Sequence, residues 1–162
     1  EKAVNILFKL EKLVLVDQNR NPIYKTIADQ LEELIKRWKE REIEYKELFN
    51  EENKIIDFIE EKEQEREKLK FSPFEFGIFS ILDVHLKEEN KNKLREFVGE
   101  IVNMIKEDLI ENWQENSTLR QNIERKLRSF ALKLKKDYKL TYDEFDTFHK
   151  ELVSFIKDYA QG

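Results

Sequence analysis

Residues 71–86 read FSPFEFGIFSILDVHL, and this stretch decides the fold class. Its first residues form a helix start: Ser72 can cap, Pro73 fits the first helical turn and Glu75 can complete a capping box. Phe71, one residue before the cap, can act as a hydrophobic staple. Seven apolar residues follow between positions 74 and 84. The stretch therefore predicts an apolar helix at the centre of a helical core.

The composition extends this prediction to the whole chain. Of its 162 residues, 40% are hydrophobic and 40% are charged, with only three Gly and two Pro. The apolar content is sufficient for a core, and the charged content is well above the ~25% of an ordinary globular chain. We predict an all-α fold, an irregular helical bundle of six to seven helices with one long, partly exposed charged helix.

The clearest break in the chain is DQNRNP at residues 17–22. We expect residues 1–22 to be an N-terminal helix and linker from an upstream helical region. Residues 23–162 are then a C-terminal helical domain. Within it we expect a long charged helical arm at 23–70 and a compact core at 71–162.

Three further patterns predict helix starts and a helical stripe. Asn21-Pro22 is typical of a cap followed by a proline in the first turn, and Thr118–Gln121 and Thr141–Glu144 fit capping boxes. Apolar residues recur at helical spacing from Leu94 to Trp113. This spacing predicts one helix that ends at the tryptophan.

Several classes of protein are excluded or disfavoured. The chain has no Cys, so disulfides and thiolate metal sites are excluded. No apolar run approaches the ~18 residues of a membrane span, and nothing resembles a signal peptide. The chain starts at Glu1, and its one methionine is Met104. We expect a cytoplasmic protein and a piece cut from a longer polypeptide.

No motif indicates an active site. The phosphate-cradling pattern GxxxxGK[ST] is absent. Asp146 and His149 stand three residues apart on one predicted helix, but one carboxylate and one imidazole are too few ligands for a metal site. We interpret them as a surface pair and expect no metal and no cofactor in this chain.

The charge is distributed unevenly, and this asymmetry predicts the interaction surface. Residues 119–139 carry eight bases and two acids, although the whole chain has a net charge of −5. Segment 40–68 carries twelve acids and six bases. Aligned cations on one helix can bind successive phosphates, whereas a charge run can also be a solvated face or pair with the acidic segment. These readings stay open at this point.

The candidate phosphate-contacting residues lie in two groups. The first lies on the basic helix: Arg120, Arg125, Lys126, Arg128, Lys135 and Lys136. The second, weaker group is Lys36, Arg37 and Arg41. Arg41 falls where the apolar stripe of the arm requires a seam residue, so we expect it to mark a buried network or an interface. Glu52 interrupts the same stripe, and Phe49-Asn50 is a candidate kink.

Three aromatic residues are candidate packing and assembly anchors: Trp38, Phe74 and Trp113. Each tryptophan continues an apolar stripe, which favours core packing over base stacking.

Three stretches in order resemble one known family. They are LEELIKRWKER at 31–41, FSPFEFGIF at 71–79 and NWQENSTLRQNIERKLR at 112–128. Together they resemble the C-terminal helical domain of type I restriction enzyme motor subunits (the R subunits). The resemblance covers about residues 23–136 and rests on the order and spacing of the stretches.

The resemblance implies a function for the parent chain and for this part of it. The parent is expected to be an ATP-dependent type I site-specific deoxyribonuclease that uses ATP and Mg and translocates DNA. This part is expected to be non-catalytic, to dock the motor onto the methyltransferase and specificity subunits, and to contact the backbone of double-stranded DNA. The alternative is a helical assembly module that binds protein only and makes no DNA contact.

Overall fold

The computed structural model describes residues 2–17 and 22–159, and this described part contains seven α-helices and no strand. The predicted all-α fold is confirmed. The helices are α1 (Lys2–Asp17), α2 (Pro22–Lys39), α3 (Tyr45–Leu69), α4 (Pro73–Leu86), α5 (Lys91–Ile105), α6 (Ser117–Asp137) and α7 (Tyr142–Tyr159). A short 3-10 turn at Trp113–Glu115 precedes α6. The predicted Asn21 cap lies outside the described residues.

The chain divides into two compact units, Glu1–Pro73 and Phe74–Gly162. The first unit is built from α1, α2 and α3, whose apolar faces form one core. Its buried members are Ala3, Leu7, Leu10, Ile27, Leu31, Leu34, Ile43, Leu48 and Ile55. Polar contacts hold the helices at the rim. The Ala3 amide donates to the Tyr45 hydroxyl at 3.0 Å, and Arg37 pairs with Glu47 at 3.2 Å.

The turn between α2 and α3 corrects the prediction for Arg41. Arg41 is exposed and adopts a left-handed conformation with φ 57°, so it marks no buried network. The Glu42 amide donates to the Arg37 carbonyl and the Arg41 amide to the Trp38 carbonyl, which ends α2 in a Schellman motif. Ile43 then enters the core with 5% of its surface exposed. Further along, α3 continues without interruption through Phe49 and Asn50.

Basic residues occupy the left-handed positions that follow four helices. Arg41, Lys70, Lys87 and Lys139 all have φ between 53° and 58°. Glycine is the usual residue there because it lacks the Cβ that penalises this conformation. A cation at the C-terminal end of a helix gains a favourable interaction with the helix dipole, which offsets part of that penalty. After these four helices a basic residue therefore takes the position that glycine usually occupies.

The second unit is built around α4, in which every residue from Phe76 to Leu82 is buried. Phe74 stacks on Phe155 of α7 at 5.9 Å between ring centroids. His85 lies 2.7 Å from Glu151. Helix α6 in turn packs against α5, α7 and the 3-10 turn. The apolar helix predicted from residues 71–86 is present and starts at Pro73.

The segment before α6 differs from the prediction of one helix from Leu94 to Trp113. Helix α5 ends at Ile105, and Asn112 is left-handed with φ 60°. Trp113 is buried in the 3-10 turn with 3% of its surface exposed. The apolar spacing continues past the end of α5 because residues after this helix, such as Trp113, also pack into the core.

The cap of α6 is Asn116, two residues before the predicted Thr118. The Asn116 side-chain oxygen accepts hydrogen bonds from the Thr118 and Leu119 amides at 3.0 and 3.1 Å. Thr141 caps α7 as predicted, because its hydroxyl accepts a hydrogen bond from the Glu144 amide at 3.2 Å. Both caps satisfy amides that a helix start leaves unpaired.

Two helical glycines give a matched test of this packing. A Cβ on Gly77 would lie 2.0 Å from the Phe155 ring, whereas nothing lies within 4 Å of a Cβ on Gly99. We expect Gly77→Ala to lower the free energy of unfolding by about 1–3 kcal/mol through overpacking. Gly99→Ala should raise it by about 0.5–1 kcal/mol, since alanine is the better helix former. Urea denaturation checks both, and a Gly77→Ala variant as stable as the parent chain would contradict the packing.

Candidate functional site

The buried seam of α6 fixes which of its basic residues face solvent. Its buried side chains are Ile123, Leu127, Phe130, Ala131 and Leu134. The side away from this seam carries a row at successive spacings of three, four, three and one residues: Arg125, Arg128, Leu132, Lys135 and Lys136. All are exposed except Lys135, which is half-buried. We call this row the cationic face; it spans about 16 Å along the helix.

The bases of the cationic face have no ion-pair partner among the described residues, although two have other contacts. Arg125 donates to the Asn122 side chain at 3.1 Å. The Arg128 guanidinium lies over the Phe145 ring of α7, 5.5 Å from its centroid. Such a cation–π contact holds the guanidinium in place and leaves its hydrogen-bond donors available.

Lys126 is different from the other predicted bases because it is part of an ion pair. Its ammonium lies 2.6 Å from Asp108, a carboxylate that is 6% exposed. Asp108 follows the end of α5, so the pair ties this turn to α6. The position of Lys126 is on the side of α6 that faces α5. It therefore acts structurally in this unit.

Arg120 lies apart from the cationic face. It is exposed in the first turn of α6. Nearby Glu124 forms an ion pair with Lys157 of α7. This ion pair joins α6 to α7 one turn after Arg120.

His149 and Asp146 do not form the predicted surface pair. Asp146 pairs with Lys150 at 2.8 Å, and the His149 ring stacks on Phe145 at 5.8 Å. The His149 Nε2 atom is buried without a hydrogen-bond partner among the described residues. Burial, and then the nearby Arg128 guanidinium, lowers the pKa of His149. A neutral imidazole results, which leaves Arg128 as the cation of this cluster.

The second predicted group lies in the first unit, on and after the last turn of α2. Lys36 and Arg41 are exposed, and Arg37 is engaged by Glu47. Trp38 packs against the core of this unit and meets Tyr45 edge to face at 6.5 Å. The structure brings these bases together at a helix end but forms no row like the one on α6.

Sequence reasoning missed Asp108, the partner that removes Lys126 from the solvent-facing set. The pair spans 18 residues across the irregular segment between α5 and α6. No local pattern signals a contact of this kind. The one sequence signal was in the helical wheel, where Lys126 lies outside the sector of Arg125, Arg128, Lys135 and Lys136.

Among the residues that the structure describes, no group of three or more potential ligands among His, Asp and Glu lies close enough to hold a metal ion. No helix in the described part is long and apolar enough to cross a membrane.

The geometry defines a class of protein: an all-α chain of two helical units, the second of which presents a cationic helix face. A comparison with protein families gives the particular family. The chain belongs to the family described as "Type I restriction enzyme HindI endonuclease subunit-like, C-terminal", whose model matches residues 4–161. The resemblance to the C-terminal domain of these endonuclease subunits is confirmed. No curated protein and no solved structure matches the chain.

The Lys126–Asp108 pair generates a prediction that separates structural from exposed bases. We expect Lys126→Met to lower the free energy of unfolding by about 1–3 kcal/mol, because it leaves the Asp108 carboxylate buried and unpaired. Lys150→Met is the matched control: its pair with Asp146 is exposed, so the loss should stay below about 1 kcal/mol. Equal losses in chemical denaturation would contradict the structural role of Lys126.

Proposed function

We propose that this chain is a non-catalytic C-terminal domain that contacts the DNA backbone through the α6 cationic face. The observation that carries the proposal is the row Arg125, Arg128, Lys135 and Lys136, which the buried seam turns outward. Membership of a type I restriction enzyme family supports DNA as the polyanion, since such enzymes act on DNA.

Electrostatics support a contact confined to this face. Residues 74–162 carry 17 acids and 15 bases, so the unit as a whole does not attract DNA. Arg125, Arg128, Lys135 and Lys136 have no ion-pair partner among the described residues and lie together on one side of α6. A row of about 16 Å can lie against several phosphates, because duplex DNA carries one charge per about 1.7 Å of its axis.

The expected contact is independent of base sequence. Phosphate contacts position a protein on the duplex and carry no sequence information. In the parent enzyme, recognition of the DNA sequence is then left to the specificity subunit.

We further propose that the parent chain is the ATP-dependent motor and nuclease subunit, which uses ATP and Mg in its other domains. The present domain would dock this subunit onto the methyltransferase and specificity subunits. The apolar Val84 and Ile110 are 68% and 56% exposed in the second unit and are candidate protein contacts. They also favour the second candidate function, an assembly module without DNA contact.

The DNA contact is tested by neutralising three bases of the cationic face that make no aromatic contact. Arg125, Lys135 and Lys136 are all replaced by Gln, which keeps helix propensity. We expect the affinity for duplex DNA to fall and the slope of log affinity against log salt to decrease by about 2 to 3, since each lost phosphate contact removes about 0.9. Duplexes of different sequence should respond alike.

The control carries the same loss of charge elsewhere: Lys46, Lys68 and Lys106, all exposed and outside α6, are replaced by Gln. It should keep the affinity and the salt slope of the parent chain. If both triple variants behave alike, the cationic face does not bind DNA. If instead the α6 variant binds DNA normally but, in the full subunit, no longer assembles with the methyltransferase subunits, the assembly module is the better description.

A further inference from the structure

Glu52 is a buried carboxylate without a partner. None of its surface is exposed, and neither carboxylate oxygen has a hydrogen-bond partner among the described residues. It lies within one turn of Leu48 and Ile55, which belong to the core of the first unit. An ionised carboxylate in such a place is strongly disfavoured, because no hydrogen-bond donor of the protein replaces the water that the carboxylate loses on burial.

Glu52 lies on the flank of α3 that contacts α1. The Tyr45 hydroxyl accepts the Ala3 amide, and the Lys2 ammonium lies 5.8 Å from the centroid of the Phe49 ring. Glu52 is three residues after Phe49 and therefore shares its side of the helix. The ion pair of Glu47 with Arg37 marks the flank of α3 that contacts α2. Glu52 is thus buried in the core of the three helices, on the α1 side of α3.

The groups around this face are largely apolar. From α1 the described core residues are Ala3, Leu7 and Leu10, and from α2 they are Ile27, Leu31 and Leu34. The described titratable groups of α1 are Lys2, which lies over the Phe49 ring, the exposed Lys9 and the half-buried Glu11. Tyr24 of α2 packs against the same core, and the Tyr45 hydroxyl of α3 is bound to α1. Burial in this setting raises the pKa of Glu52 to about 7.

We propose that Glu52 is a proton-controlled latch: α1 packs on α3 while the carboxyl group is neutral, and separates from α3 when it ionises. The latch is independent of the DNA contact proposed for α6. It is a property of the first unit alone, and it requires only that the carboxyl group reach water when α1 moves away.

The direction of the pH dependence follows from the raised pKa. When α1 is closed, Glu52 titrates near pH 7; when α1 is open, it titrates near its ordinary value of 4.5. The closed state therefore binds more protons than the open state between these values. Closure is most stable below about pH 4.5, and this stability is lost as the pH rises through 7.

Hydrogen exchange of the α1 amides, followed by mass spectrometry and expressed as protection factors, tests the latch in the whole chain. We expect protection of α1 to fall about fifty- to a hundredfold between pH 5 and pH 8, as the shift from 4.5 to about 7 implies. Glu52→Gln, which mimics the neutral carboxyl, should abolish this decrease. Glu60→Gln, an exposed glutamate on the same helix, should retain it.

Two outcomes would overturn the proposal. The first is that the parent chain and Glu52→Gln show the same dependence of α1 protection on pH. The second is that α2 and α3 lose protection together with α1, because the whole unit would then unfold and no latch would exist.

Glu52→Leu serves as a second variant that lacks any titrating group, and it should match Glu52→Gln in having no pH dependence. Amides of α6 and α7 are the internal reference and should be indifferent to all three substitutions.

Discussion

The burial of one face of α6 is the constraint on which the interaction surface depends. Because Ile123, Leu127 and Leu134 must lie in the core, the helix cannot rotate about its axis without exposing them. Because the rotation of the helix is fixed, the side of α6 on which each basic residue lies is fixed as well. Asn116 at the start and the left-handed Lys139 after the end set the length over which this holds. A helix with the same composition in another order would not separate its cations from its core.

Among the described residues two carboxylates are buried, and the contrast between them shows how placement determines behaviour. Asp108 has the Lys126 ammonium at 2.6 Å, so its charge is compensated within the fold. Glu52 has no such neighbour among the described residues and depends on a proton. The first carboxylate joins two elements of the second unit and takes a lysine away from the solvent-facing set. The second makes the contact of α1 with α3 sensitive to pH near neutrality.

The sequence predicted helices and starts well where the signal is local. Pro73 and Thr141 mark the starts of α4 and α7, since a missing amide and a capping hydroxyl act within one turn. Helix ends were harder to predict because Arg41 and Lys139 take the place of the expected glycine. The apolar spacing continues from α5 to Trp113, beyond the end of that helix at Ile105, so it did not mark where the helix ends. The basic helix was predictable from charge. That Lys126 is held in an ion pair while Arg128 is exposed was not predictable, because it depends on contacts with residues distant in sequence.

Reaction of lysine side chains with an amine-acylating reagent, with and without duplex DNA, is the most direct measurement of this sorting. Mass spectrometry reports each lysine separately in one sample of the unmodified chain. DNA should protect Lys135 and Lys136, leave the exposed Lys46 and Lys68 unchanged, and have no effect on Lys126, which should react slowly throughout because it is paired with Asp108. Rapid reaction of Lys126, or equal reactivity of Lys135 and Lys136 in the presence and absence of bound DNA, would contradict the assignment.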